Sequence, residues 1–250
     1  MKLLQPLWIV LAAVFLISCQ TTRYRITEIS GTIVQINSSF DAYADPEMVT
    51  FVDYYKSQLD EQMGVVIGIA AQMMDRGRPE SLLTNFTADV MKKYGDEILP
   101  DGADLAVMNV NGHRAAMPKG AITMGDLFEI YSFDNTIVFL DLKGSDLRKL
   151  FEANIRGFGI SSNVRFIIEN DEIRSITIDG KPIDNEHIYK VVTLDYLADG
   201  NDGMGALENA TSKYDTGIIL RDIIIDYIQE QTRQGNEINS QLDGRIVVLN

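Results

Sequence analysis

Apolar positions along this chain recur in two periods, and the places where one gives way to the other mark out its elements. Leu83, Phe86, Val90 and Tyr94 return at three- and four-residue spacing, predicting a helix over 81–94 that Gly95 stops. Further helices are predicted over 145–153 and over 219–231, the latter burying Ile219, Leu220, Ile223, Ile224, Tyr227 and Ile228. Asp45-Pro46-Glu47 opens another, with a favoured N-cap, a proline suited to the first turn and an acid at the positive end of the helix dipole. Along it, Val49, Val52, Leu59 and Met63 lie on or near one face. Short apolar runs predict strands over 65–70, 105–108, 136–142, 164–169, 173–178, 189–194 and 246–249, with Asp179-Gly180 as a tight turn after the fifth of them. The stretch 24–38 is rich in Ile, Thr and Val and reads as strand, a hairpin about Gly31. Strands and helices in this irregular order predict an α+β fold, a mixed β-sheet with packed helices.

The first 18 residues carry a lysine at position 2, an apolar run over 7–17 and then Leu16-Ile17-Ser18-Cys19, the form of a secretory signal. A spanning helix needs about 20 apolar residues, so this run is too short for one. Leu-Ile-Ser-Cys also resembles the bacterial lipobox, in which the cysteine is acylated. Cys19 is the only cysteine, which excludes an internal disulfide and leaves lipidation as its economical role; an ordinary cleaved signal is the bland alternative. The expected division is a lipoprotein signal over 1–18, an extension with strands over 19–45 and a domain over 46–250. The expected location is the periplasmic face of an outer membrane, held through lipid at Cys19.

Charge removes one class of partner. With 22 Lys and Arg against 36 Asp and Glu the formal charge is −14, so nucleic-acid binding is excluded and cationic groups must act locally.

Chemistry gathers in three turns. The run Leu105 to Met108 breaks into Asn109-Val110-Asn111-Gly112 and ends on His113-Arg114, where an arginine offers a fixed fork of donors to carboxylate, phosphate or ribose oxygens. Ser132-Phe133-Asp134-Asn135 sets an aromatic face beside an amide able to read the edge of a planar ring. Tyr196-Leu197-Ala198-Asp199-Gly200-Asn201-Asp202-Gly203 adds a second aromatic, two glycines and a carboxylate. Aromatics are more often core than site, but glycine, asparagine and aspartate around these two favour exposure.

The succession ADLAVMNVNGHR, AITMGDLFEIYSFDNTIVFLDLKGSDLRKLFE and GKPIDNEHIYKVVTLDYLADGNDGM resembles the C-terminal domain of the 5'-nucleotidase family. The resemblance covers roughly 82–248. It implies a nucleotide-binding domain that stacks a base between two rings, while hydrolysis belongs to a separate two-metal domain. Carried over residue by residue, Asn109 and Arg114 match ribose- and phosphate-side contacts, Phe133 and Tyr196 the stacking pair, Asn135 the base-edge amide and Asp202 the ribose carboxylate. Arg76 or Arg78 is an approximate substitute for a phosphate-facing arginine, with a plain solvated loop as the alternative. Where the family loop is usually Asn-Gly-Gly-Gly-Ile-Arg, Val110 and Asn111 replace two glycines, which narrows the backbone's freedom there.

A dinuclear hydrolase needs several histidines and carboxylates around its ions. This chain has two histidines, His113 and His187, and lacks the family's metal signatures, so no catalytic residue, metal ligand or cofactor is assigned to it. Divalent metals are expected only in a partner. The leading expectation is the nucleotide-binding part of a split 5'-nucleotidase, taking a nucleoside monophosphate or nucleoside and working with a separately encoded metallophosphoesterase. The alternative is a non-enzymatic binding or scaffold lipoprotein that kept the fold and lost the nucleotide.

Overall fold

The computed structural model describes residues 25–249. The signal segment and Cys19 lie outside the described residues. The chain divides into two compact units, Met1–Phe51 and Val52–Asn250.

In the first unit the expected strand is not formed: residues 25–37 carry no regular structure and a 3-10 helix follows at Ser38–Tyr43. β-branched composition describes a fit to a pleated, half-buried surface, and these residues are exposed, with no ladder to fit into. Helix α1, Pro46–Met63, begins where the sequence places it, with the Asp45 carboxylate accepting from the Glu47 amide at 2.9 Å. Of its expected apolar face, Val49, Val52 and Leu59 are exposed and Met63 is half-buried.

The second unit is built on three sheets. Strands β1 (Val66–Ala70) and β3 (Gly120–Thr123) form an antiparallel pair. The central sheet has five strands in the order β10-β4-β9-β2-β5, where β2 is Leu105–Met108, β4 Thr136–Lys143, β5 Gly159–Ile160, β9 Ile188–Leu194 and β10 Ser212–Ile219. Only the β2–β9 pairing is parallel; β4 with β9, β10 with β4 and β2 with β5 are antiparallel. A four-stranded sheet has the order β11-β6-β7-β8, with β6 at Val164–Glu169, β7 at Glu172–Ile178, β8 at Lys181–Pro182 and β11 at Ile246–Leu249. The α+β reading therefore holds, and the seven strands expected in this unit fall within a residue of their places, whereas β3, β5, β8 and β10 were not foreseen.

Helix α2, Leu82–Ile98, starts on the Ser81 cap as expected but runs through Gly95. Gly95 is buried, and a Cβ there would lie 2.5 Å from Val192 Cγ2 and 2.9 Å from the Ala103 methyl. The glycine is needed for close packing against β9 rather than as a stop. Helix α3, Met124–Ile130, was not foreseen, although its Thr123–Asp126 capping box is written in the sequence. Helices α4 (Gly144–Ala153) and α6 (Leu220–Arg233) match their predicted spans, and a single turn, α5, occupies Asp195–Ala198.

One buried ion cluster closes this unit. Arg245, 1% exposed, donates to both Asp89 carboxylate oxygens at 3.0 Å, to Asp243 at 3.0 and 2.9 Å, and to the Ile160 carbonyl at 2.8 Å. Burial alone would raise the Asp243 carboxyl, but the hydrogen bonds and charge of Arg245 overcome it and hold that group below the ordinary carboxylate value.

Arg245→Ala removes the ion-pair partner that two carboxylates share, so it should cost about 3–5 kcal/mol, towards the lower end because Asp89 still reaches water. Urea unfolding would read this as a lower midpoint with an unchanged slope; a loss under about 1 kcal/mol would mean that the cluster does not hold the fold.

Candidate functional site

The turns singled out in the sequence converge. Asn109, Arg114, Phe133, Asn135, Tyr196 and Asp202 line one cavity of about 230 Å3, joined there by Asn111 and Gly112. Three connections bring them together: the 3-10 turn Val110–Gly112 after β2, the segment between α3 and β4, and the α5 turn with the 3-10 turn Asn201–Gly203 that follows it. All leave the central sheet or its flanking helices, so the walls are short loops on a fixed frame.

Both aromatic rings are presented rather than packed away: Phe133 is 50% exposed and Tyr196 43%. The Arg114 guanidinium carbon lies 5.7 Å from the centroid of the Phe133 ring, a cation–π pairing that orients both. Arg114 is fixed at its backbone by donation from its amide to the Ile130 carbonyl at 2.9 Å.

The remaining residues form a hydrogen-bonded group around Asp202. Its Oδ2 accepts from Asn109 Nδ2 at 2.5 Å and its Oδ1 from the Tyr196 hydroxyl at 3.4 Å. The charge of Asp202 raises the Tyr196 phenol above its ordinary value, with a smaller contribution from desolvation. A carboxylate neighbour admits only the amide side of Asn109, which leaves Asn109 Oδ1 buried without a partner. Asp202 is held at φ 53° and ψ 32°, in the left-handed region that costs a side chain about 1–2 kcal/mol. Gly203 follows at φ 81°, and the buried Asn154 donates to its carbonyl at 3.3 Å and to the Leu150 carbonyl at 2.9 Å.

The altered glycine loop is accommodated without strain. Val110 is buried, and neither it nor Asn111 takes a positive φ, since the segment is a 3-10 turn. Gly112 is the glycine the turn requires: a Cβ there would meet Asn109 Oδ1 at 2.6 Å. Asn111 is the wall residue that the sequence reading left out; its place two residues after Asn109 in the same turn was the available signal.

Arg76 and Arg78 stand outside the cavity walls. Arg76 donates to the carbonyl of His113, one residue from Arg114, and Arg78 to the carbonyl of Gly157. His187 is exposed, edge-on to Tyr189 at 4.7 Å. A wider cleft of about 370 Å3 lies elsewhere, but of its charged wall groups Asp89, Asp243 and Arg245 are already paired with one another, so the smaller cavity is the better candidate.

The residues present do not fit a dinuclear metal centre. His113 is fully buried, with Nε2 2.8 Å from the Thr87 hydroxyl and Nδ1 3.4 Å from the Val110 carbonyl, and Thr87 continues to the Tyr131 hydroxyl at 2.7 Å. Among the described residues no group of three or more His, Cys, Asp or Glu is arranged to hold a metal ion.

Comparison with known proteins places the cavity in a family context. The family described as "5'-nucleotidase, C-terminal domain" matches residues 62–209. Protein UshA of Yersinia enterocolitica is 26% identical over 216 residues, covering 83% of this chain and 39% of that protein. The trifunctional nucleotide phosphoesterase protein YfkN of Bacillus subtilis is 26% identical over 224 residues, covering 81% of this chain and 15% of that protein. Among solved structures, the 5'-nucleotidase precursor from Thermus thermophilus superposes with a TM-score of 0.69 at 28% identity, over 84% of this chain and 44% of that one. The chain thus spans less than half the length of each of these relatives.

The His113 network sets a pH dependence. Burial pushes the His113 imidazole down to about 4, whereas in the unfolded chain it protonates near 6.5. Between those values the unfolded state holds the extra proton, so stability should fall as pH drops from about 6.5 and the loss should level off below about 4. Urea unfolding at roughly pH 7 and roughly pH 5 should show a larger drop for the native sequence than for His113→Gln. Equal drops would mean that His113 is not buried as the neutral base.

Proposed function

The chain belongs to the 5'-nucleotidase C-terminal domain family, and from that premise we propose that it is the nucleotide-binding part of a split 5'-nucleotidase. It takes a nucleoside monophosphate or nucleoside and presents the phosphate to a separately encoded metallophosphoesterase. The observation that carries this reading is the convergence of two exposed rings, an arginine, an amide and a carboxylate on one small cavity. At about 230 Å3 it is below the usual range of drug-sized clefts, so one planar or sugar-sized group fits between its walls and the rest of the ligand extends from the mouth.

Each residue has a task of its own. Phe133 and Tyr196 offer faces to a base, each stacking contact being worth about 1–3 kcal/mol. Asn135 reads the edge of that base. Asp202 accepts from the hydroxyls of a ribose, its carboxylate held in place by the Asn109 carboxamide. Arg114 supplies positive charge to the phosphate side of a ligand on a chain whose formal charge is −14. Export, with lipid at Cys19 holding the chain to the periplasmic face of an outer membrane, completes the proposal.

Calorimetry with AMP, adenosine and deoxyadenosine tests the binding reading. Arg114→Ala should weaken AMP by roughly ten- to a hundredfold, the loss of one charge-assisted contact, and Asp202→Ala should weaken adenosine more than deoxyadenosine. Absence of heat from the native chain with all three ligands would favour the scaffold alternative. Binding that ignores both substitutions would put the nucleotide elsewhere.

The division of labour has its own test. Purified protein supplied with zinc or manganese should release no phosphate from AMP. Metal-dependent turnover abolished by His113→Gln would overturn the split-enzyme proposal.

A further inference from the structure

Phe133 sits in the five-residue connection from Tyr131 to Asn135 between α3 and β4, with half of its surface exposed. Apart from the Arg114 guanidinium over its face, a ring with so little packing takes its orientation from the backbone beneath it. The start of α6 tethers that backbone. Arg221 Nη1 donates to the Tyr131 carbonyl at 2.7 Å, Arg221 Nη2 donates to Asp134 Oδ1 at 2.6 Å, and the Leu220 amide donates to the Asn135 carbonyl at 2.9 Å. The first two contacts bracket Phe133 on either side.

Stability alone is a poor reason for Arg221. It is 6% exposed, its Nε is buried without a partner, and its ion-pair partner Asp134 has a side chain 70% exposed. Such a pair bears the desolvation of a guanidinium without the full Coulombic return of a dry interior. What the guanidinium provides is geometry: a rigid planar fork that fixes the Tyr131 carbonyl relative to the Asp134 carboxylate. The Phe128 ring, 4.0 Å from the guanidinium carbon, keeps that plane in place.

We propose that Arg221, acting through Asp134 and the Tyr131 carbonyl, is a positioning residue that sets the Phe133 wall of the cavity and so governs recognition of the ligand's planar ring. This rests on the reading of the cavity as a nucleoside site. Arg221 touches no ligand itself.

The test compares AMP with ribose 5-phosphate, which has the sugar and phosphate but no base. Arg221→Lys keeps the charge and loses the fork; Asp134→Ala removes the other end of the pair at an exposed position where folding is not at risk. Both should weaken AMP by about tenfold, most of one stacking contact, and leave ribose 5-phosphate unchanged. Equal losses for the two ligands, or no loss, would overturn the inference. Fluorine NMR of ligand-free protein labelled at phenylalanine gives an arm that needs no binding: the Phe133 signal, assigned through Phe133→Leu, should shift or broaden in Asp134→Ala. An unchanged signal would overturn the inference. Native protein that binds neither ligand would defeat the nucleoside reading, while the fluorine signal would still decide the positioning role.

Discussion

The buried guanidinium of Arg245 is the constraint on which the C-terminal half of this fold depends. Removing such a group from water is costly, and the cost is met only because Asp89 on α2 and Asp243 in the last loop both close on it. The consequences run outwards through hydrogen bonds. Its own carbonyl accepts from the Phe166 amide at 2.7 Å, which starts the parallel pairing of β11 with β6. Its Nη1 holds the Ile160 carbonyl of β5, and β5 pairs with β2 through Ile160 and Gly159. Since Asn109 directly follows β2, the ion cluster and the cavity are fixed to the same two strands.

The cavity shows the same economy on a smaller scale, with exposed recognition groups held by buried polar ones. Asn154, nine-tenths buried, holds Gly203 beside the strained Asp202. Arg221 holds the two residues that bracket Phe133. The Asp202 carboxylate itself fixes the carboxamide of Asn109. Turns are ordinarily the mobile part of a fold, and these are made stiff by polar partners reaching from a helix end or a neighbouring turn. A site prepared in this way loses little entropy when a ligand arrives.

The sequence disclosed much of this, and its failures have physical causes. Strands over apolar runs and the amphipathic α4 and α6 were legible because burial writes a period into the chain. The gathering of Asn109, Arg114, Phe133, Asn135, Tyr196 and Asp202 was legible because their turns carry glycine, asparagine and aspartate at the ends of such runs. Gly95 misled because the same lack of a side chain serves a stop and a close approach, and only the neighbouring Val192 distinguishes them. The stretch 25–37 misled because β-propensity reports on a partner surface, which no local pattern reveals. Arg221 and Asn154 were missed outright: their importance lies in backbone carbonyls distant in sequence, and a single arginine in a helix or asparagine at the end of one carries no local mark of that.

The two groups of wall residues differ in what they ask of a ligand. Asp202 is an acceptor, so that side rewards a molecule that donates hydrogen bonds and penalises one that brings negative charge. Arg114, over the face of Phe133, is a donor with a permanent charge and rewards the opposite. A ligand that satisfies both must carry donors and an anion in one molecule, with a flat apolar surface for the rings. A free base lacks the anion and a simple phosphate lacks the donors and the surface. The selectivity of such a cavity therefore comes from charges of opposite sign kept apart by fixed turns, so that Arg114 and Asp202 remain available to a ligand instead of neutralising each other.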